Sequence, residues 1–182
     1  MSRKNKFLDQ GQVYFITCSV IKWFKIFRMP EYCQILIDSL KFCQENKGLI
    51  IYAWCIMNDH IHLIIGTQDQ PMQNIIRDFK SFTSRKIRKK MFKNRRNVKI
   101  SKIYKEMLKA GAANSNNKDW QLWQQHNHPQ ELFSEKIAEQ KLNYIHYNPV
   151  KAGLVDHPIE WPYSSAVDYN GRKGLVDIEI LR

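Results

Sequence analysis

Apolar residues along this chain follow two rhythms, one near two residues and one near 3.6, and the switches between them mark out the elements. The run Val13–Val20 (VYFITCSV) is rich in β-branched and aromatic residues and predicts a strand. Pro30 suits the first turn of a helix. Tyr32, Leu36, Leu40 and Cys43 then form an apolar stripe as far as about Lys47, and Gly48 supplies a stop. Leu49–Met57 predicts a second strand, Asn58-Asp59 a turn, and His60–Gly66 (HIHLIIG) a third strand, which together make a hairpin. Pro71 opens a second helix with Met72, Ile75, Ile76, Phe79 and Phe82 facing inward, and this helix runs to about residue 90. Val98–Ala110 predicts a short helix, and Ala110–Asp119 a small-residue, polar, mobile loop. Trp120–His126 (WQLWQQH) reads as a strand. Ser134–Tyr147 reads as a third major helix, with Ser134 as its cap and Glu135 near its positive end. A small tail strand (LVDIEIL) is expected after about Asp168.

The resulting order β, α, β, β, α, β, α predicts an α+β domain of ferredoxin-like type. Its antiparallel sheet would carry helices on one face, with Tyr144 on a helix of the C-terminal half. With 182 residues the chain is expected to form one domain. The core would run from about residue 10 to 169, with a basic and polar insertion over about 93–119 and a tail over 170–182.

Composition changes this picture in one respect. The formal charge is +12, and residues 77–105 hold 13 of the 29 lysines and arginines against a single acid, Asp78. The rest of the chain is balanced, so the whole excess sits in one stretch. A charge run is usually a solvated helix face. Focused so strongly, it points to a polyanion, and Arg77, Lys80, Arg85, Lys86, Arg88, Lys89 and Lys90 are the candidate phosphate contacts. Trp120 and Trp123 would suit either base stacking or the core, and strand tryptophans favour the core. The four cysteines are scattered inside apolar segments without a C-x-x-C pair, as expected of small buried hydrophobes in a reducing compartment. No run approaches the ~18 apolar residues of a membrane span, and the basic N-terminus leads into polar residues rather than a signal core. The reading is a cytoplasmic protein that associates with the nucleoid when bound to DNA.

Two short motifs carry candidate chemistry. In His60-Ile61-His62 the two imidazoles fall on one face of a strand, where they can reach a single ion while Ile61 packs behind. By itself such a pair also fits two ordinary, partly buried histidines. In Tyr144-Ile145-His146-Tyr147-Asn148-Pro149 the phenol and the Asn148 amide share a helix face four residues apart. A phenol there could attack phosphorus while the amide oxygen bound an ion. From spacing alone, a core aromatic explains Tyr144 better. Pro149 places Asn148 at the helix end. Lys151 would face the same substrate if the helical path continued past Pro149.

Together, WCIMNDHIHLII (54–65) and YIHYNPVKAGLV (144–155) resemble the REP-associated tyrosine transposases, part of the HUH group of single-strand transposases. DFKSFTSRKI (78–87), WQQHNHP (123–129) and WPYSSA (161–166) are similar to that family too, so the resemblance spans about Val13 to Tyr169. It implies Tyr144 as nucleophile, and His60, His62 and Asn148 as ligands of a divalent cation, Mg²⁺ or Mn²⁺. It also implies single-stranded or hairpin-bearing DNA as substrate, cut through a 5′-phosphotyrosyl link that leaves a free 3′-hydroxyl. Asp59 stands where many relatives have asparagine, a position outside the ligand set. Tyr147 is the alternative nucleophile, and His146 points away as a structural residue. Relatives work as monomers or as dimers, so a homodimer stays open. The competing readings are a retired hairpin- or strand-binding module and a hydrolase in which the ion activates water.

Overall fold

A computed structural model describes residues 7, 11–68, 70–115, 119–125 and 127–181. Strand β1 (Tyr14–Ser19) leads through two 3-10 turns into helix α1 (Pro30–Lys47). Gly48 ends that helix in the left-handed region (φ 66°), a conformation that costs a residue without a side chain very little. Strands β2 (Leu49–Ile56) and β3 (His60–Thr67) form the expected hairpin, followed by α2 (Met72–Lys93) and α3 (Val98–Ala112). Then come β4 (Gln130–Glu131), α4 (Glu135–Lys151) and a short α5 (Ala166–Tyr169). The sheet order is β2-β3-β1-β4 with every pair antiparallel, which is the arrangement a βαββαβ unit of ferredoxin-like type requires.

The pleat sorts side chains between two cores. Tyr14, Ile16 and Cys18 of β1 and Ile61, Leu63 and Ile65 of β3 point into the larger core beneath α1 and α2. Phe15 and Ile64 point the other way, where Ile145 of α4 closes a smaller core. Strand β2 stays in step through a bulge between Ile51 and Ala53. Its inward residues are Leu49 and Ile51 before the bulge and Trp54 and Ile56 after it. The helices between strands thus cover one face, and α4 covers the other. His60 and His62 follow the parity of Ile64, so the fold turns both toward α4.

Four local expectations are corrected. Trp120–His126 is not a sheet strand: its described part meets the chain at the end of β1 through an isolated bridge, Val20 to Trp123, and the flanking bonds from Gln124 N–H to Ser19 and from Ile21 N–H to Leu122, and β4 lies further on, at Gln130–Glu131. Trp120, Leu122 and Trp123 are all buried, and both tryptophans belong to the larger core. His126 lies outside the described residues. Phe82 falls off the inner stripe of α2 and is exposed. Thr83 takes the buried slot, donating its hydroxyl to the Phe79 carbonyl and accepting the Trp123 indole N–H at 3.0 Å. The tail forms no strand, although Val176 is buried and the Glu179 N–H reaches the Ile51 carbonyl at the β2 edge. Helix α3 runs to Ala112, further than expected, and residues 116–118 of the loop after it lie outside the described residues.

Helix α4 also departs from expectation at its end, because it continues through Pro149 to Lys151. Proline has no N–H for the carbonyl four residues back, so the helix runs past Pro149 with one bond fewer, and Pro149 is itself buried. The end is closed by the N–H groups of Ala152, Gly153 and Leu154, which reach the carbonyls of Asn148, Val150 and Pro149. Asn148 is therefore a helical residue with a partial turn beyond it.

Candidate functional site

The tight turn at Asn58-Asp59 is held by backbone bonds from Phe27 to the Asn58 carbonyl and from Val20 to the Asp59 carbonyl. It delivers His60 and His62 to the α4 side of β3. Ile61 between them is fully buried in the opposite core and fixes the register. His60 Nδ1 lies 2.6 Å from the Asp59 carboxylate, and His62 Nδ1 lies 2.7 Å from the Thr17 hydroxyl. The two Nε2 atoms face each other at 3.0 Å. With both rings neutral, Asp59 accepts from His60 Nδ1–H, which leaves a lone pair on His60 Nε2. His62 Nε2–H donates into it, and the Thr17 hydroxyl donates to His62 Nδ1. One proton thus sits between two ring nitrogens whose lone pairs otherwise converge. Burial, helped by Lys141 and by His60 whenever that ring is protonated, pushes the His62 imidazole down to about 3, so it stays neutral, the form able to bind a metal.

Tyr144 stands over this pair. Its ring meets the His62 imidazole edge-on at a centroid distance of 5.2 Å, and Phe15, stacked on His62, supports both. It remains 39 % exposed, so it is not a filled core position. Lys151 reaches back to within 5.9 Å of the ring centroid, which follows from the helix continuing past Pro149. Asn148 is one turn beyond Tyr144, and its buried Nδ2 has no hydrogen-bond partner among the described residues. Among the described residues no three His, Cys, Asp or Glu side chains gather, so a ligand set at His60 and His62 needs a donor of another kind. Asn148, the third ligand the resemblance implies, carries a donor of that kind, since a half-turn of its amide exchanges nitrogen for oxygen. Tyr147 is exposed and shares a surface basin with Tyr144. His146 is buried on the far side, 2.9 Å from the Ser165 hydroxyl, a structural role as expected.

Residues 20–119, more than half of the chain, match the family model described as Transposase IS200 like. The chain belongs to this family. The matched stretch contains His60 and His62 and ends before Tyr144. A Haemophilus influenzae protein described as a REP-associated tyrosine transposase is 27% identical over 170 residues, covering 91% of this chain and 85% of its own length. A solved structure of a REP-associated tyrosine transposase bound to a REP hairpin superposes with a TM-score of 0.67. It is 18% identical, spans 100% of this chain and 94% of its own, and shares the fold.

The basic stretch of this IS200-like chain is mostly α2. Arg77, Lys80, Arg85 and Arg88 line one side of a cleft of about 850 Å³, and residues 119–125 line the other. Lys80 is engaged within the protein, donating to the Gln124 carbonyl and to Asn127 Oδ1, each at 2.7 Å. Burial holds its ammonium below the usual lysine range, partly offset by Cys18. Arg88 grips the Asp119 carboxylate with two bonds, at 2.9 and 2.7 Å. Arg77 pairs with Asp78 but is largely exposed, and Arg85 is exposed on the cleft wall. Lys86 sits over the Phe82 ring at 5.3 Å, and Lys89 and Lys90 lie on α2 beyond the cleft. The segment that sequence reasoning undervalued is WPYSSA. Trp161 donates to the Ile56 carbonyl, and the Ser165 hydroxyl bonds both the N–H and the carbonyl of Trp54; with its contact to His146 this ties α4 to β2. No helix of the described residues is long and apolar enough to cross a membrane.

Proposed function

We propose that this chain is a metal-dependent transposase that nicks and rejoins single-stranded, hairpin-bearing DNA, with Tyr144 as nucleophile. The observation that carries this reading is the Tyr144 ring standing over two imidazoles whose Nε2 atoms converge at 3.0 Å. Pure binding needs neither feature. His60 Nε2, His62 Nε2 and the Asn148 amide would hold Mg²⁺ or Mn²⁺, which supplies Lewis-acid polarisation of the scissile phosphate. Asp59 fixes His60 through Nδ1 and leaves its Nε2 lone pair free, and His62 would offer its own Nε2 lone pair once its proton sits on Nδ1, where the Thr17 hydroxyl can accept it. The Tyr144 oxygen attacks phosphorus and gives up its proton. The bond to the 3′ oxygen breaks, and that oxygen takes up a proton to leave as a hydroxyl. The 5′-phosphotyrosyl link conserves the ester's free energy, so a second 3′-hydroxyl can reverse the reaction elsewhere. A helix anchored to the sheet reduces the entropic cost of the attack.

The α2 cleft would hold the DNA backbone, with Arg77 and Arg85 as its exposed cations. The hairpin in the solved relative supports this choice of substrate, as does the concentration of positive charge on α2. The test is a cleavage assay on labelled, hairpin-bearing single strands with Mg²⁺ or Mn²⁺, resolved on a denaturing protein gel. A metal-dependent DNA–protein band that persists in Tyr147→Phe and vanishes in Tyr144→Phe is expected. Cleaved DNA without an adduct would favour metal-activated water instead.

A further inference from the structure

Helix α4 brings a second lysine to the site. Lys141 Nζ lies 4.6 Å from the centroid of the Phe15 ring and 5.7 Å from that of Tyr144. Lys151 Nζ lies 5.9 Å from the Tyr144 centroid. The two lysines precede and follow the tyrosine on one helix face, at three and seven residues' distance. With Gln140, Asn143, Tyr144 and Tyr147 they line an open basin of about 460 Å³. Among the described residues no carboxylate forms an ion pair with either ammonium.

We infer that Lys141 and Lys151 form a clamp for a DNA phosphodiester, with Lys141 holding the scissile phosphate against Tyr144. This rests on the tyrosine-transposase reading above and adds to it a residue outside the His, His, Asn and Tyr set. Two ammonium groups, each within 6 Å of the Tyr144 ring centroid, add their positive potentials over that ring and favour an anion there. The basin is open, and its other lining groups are amides and phenols, which can donate hydrogen bonds to an anion. A phosphodiester of an extended strand can lie across it. Lys141 also lies against Phe15, the ring stacked on His62, so its charge opposes a cation at the histidine pair until a phosphate is present. The clamp therefore couples metal and DNA: each binds more tightly when the other is in place.

The test uses the full chain and the variants Lys141→Met and Lys141→Arg, each first shown to melt like wild type. Without DNA, Lys141→Met is expected to bind Mn²⁺ roughly two- to tenfold more tightly, as one nearby positive charge is removed. A thymidine dinucleotide phosphodiester should strengthen Mn²⁺ binding in wild type and Lys141→Arg, but little in Lys141→Met. At saturating hairpin DNA, the single-turnover rate of adduct formation should fall at least ~30-fold in Lys141→Met, with Lys141→Arg recovering most of it. Dinucleotide coupling of equal size in wild type and Lys141→Met would overturn the clamp, as would an unchanged adduct rate. If wild type forms no adduct on any hairpin, the tyrosine reading fails, and the dinucleotide coupling still decides the clamp by itself.

Discussion

The Asp59 carboxylate lies 2.6 Å from Nδ1 of its neighbour His60, and the Thr17 hydroxyl makes the matching contact to His62 from the adjacent strand. Neither residue is a candidate ligand, yet between them they set which nitrogen of each ring faces the other. A carboxylate behind an imidazole fixes its tautomer and raises its basicity. Asp59→Ala is therefore expected to weaken Mn²⁺ binding about 10- to 100-fold, with Asp59→Asn milder because its Oδ1 still accepts from Nδ1–H. Thr17→Val should show a smaller loss. Calorimetric titration of the DNA-free protein with Mn²⁺ checks all three, and wild-type affinity in Asp59→Ala would remove the carboxylate from the site.

The cations of the α2 cleft divide into two kinds. Arg85 is exposed on its wall, whereas two of the three Lys80 ammonium protons are committed to Gln124 and Asn127. Arg85→Ala should leave the melting temperature unchanged and weaken hairpin binding, reducing the slope of log K against log salt by about one. Lys80→Met should instead lower the melting temperature, since it frees the segment packed on β1. Fluorescence anisotropy across a salt series, paired with thermal melts, separates the two. Equal salt slopes for wild type and Arg85→Ala would place the DNA elsewhere.

Much of this architecture was legible because periodicity reports burial. The α1 stripe, the Asn58-Asp59 hairpin and the Ser134 cap all match local rules, and the cap's hydroxyl indeed accepts from the Ile137 N–H. Long-range compensation was not legible. Thr83 displaces Phe82 from the inner face because a tryptophan forty positions away supplies its hydrogen-bond partner. Pro149 stays helical because the N–H groups of Ala152, Gly153 and Leu154 close the end. The His-Ile-His face could be read from strand parity, but the approach of Tyr144 could not. It depends on residues 163–165 tying α4 to β2, and nothing in the spacing of YIHYN announces that.

That tie should make stability depend on pH. His146 is buried beside Ser165, and burial pushes its imidazole down to about 4 from an ordinary value near 6.5. A histidine depressed in the folded state takes up its proton first in the unfolded chain. Its contribution is complete above about pH 6.5 and is lost as pH falls toward 4, amounting to on the order of 3 kcal/mol. Chemical denaturation from pH 7 to pH 4 should therefore be steeper in pH for wild type than for His146→Gln. Ser165→Ala should cost about 1–3 kcal/mol at pH 7, by leaving the Trp54 N–H without its partner. Parallel pH dependences for wild type and His146→Gln would show that the imidazole is not held neutral by the fold.

Gly111 offers a test of how the far wall of the α2 cleft is held. A Cβ built there would lie 2.2 Å from the Trp120 backbone nitrogen and 2.5 Å from its Cα. These are main-chain atoms and cannot swing aside, so Gly111→Ala must push the 119–120 segment away from α3. Three contacts depend on that segment: the Arg88–Asp119 pair, the Trp120 indole bond to the Ser84 hydroxyl, and the burial of the Trp120 ring. Overpacking of this kind costs about 1–3 kcal/mol. The expected outcome is a lower melting temperature together with weaker hairpin binding, because Arg88 and the facing wall move together. The histidine pair lies across the sheet, so Mn²⁺ affinity should hold at the wild-type value in the same variant. A matching fall in Mn²⁺ affinity would mean that cleft and site are mechanically one unit, and the sheet does not insulate one from the other.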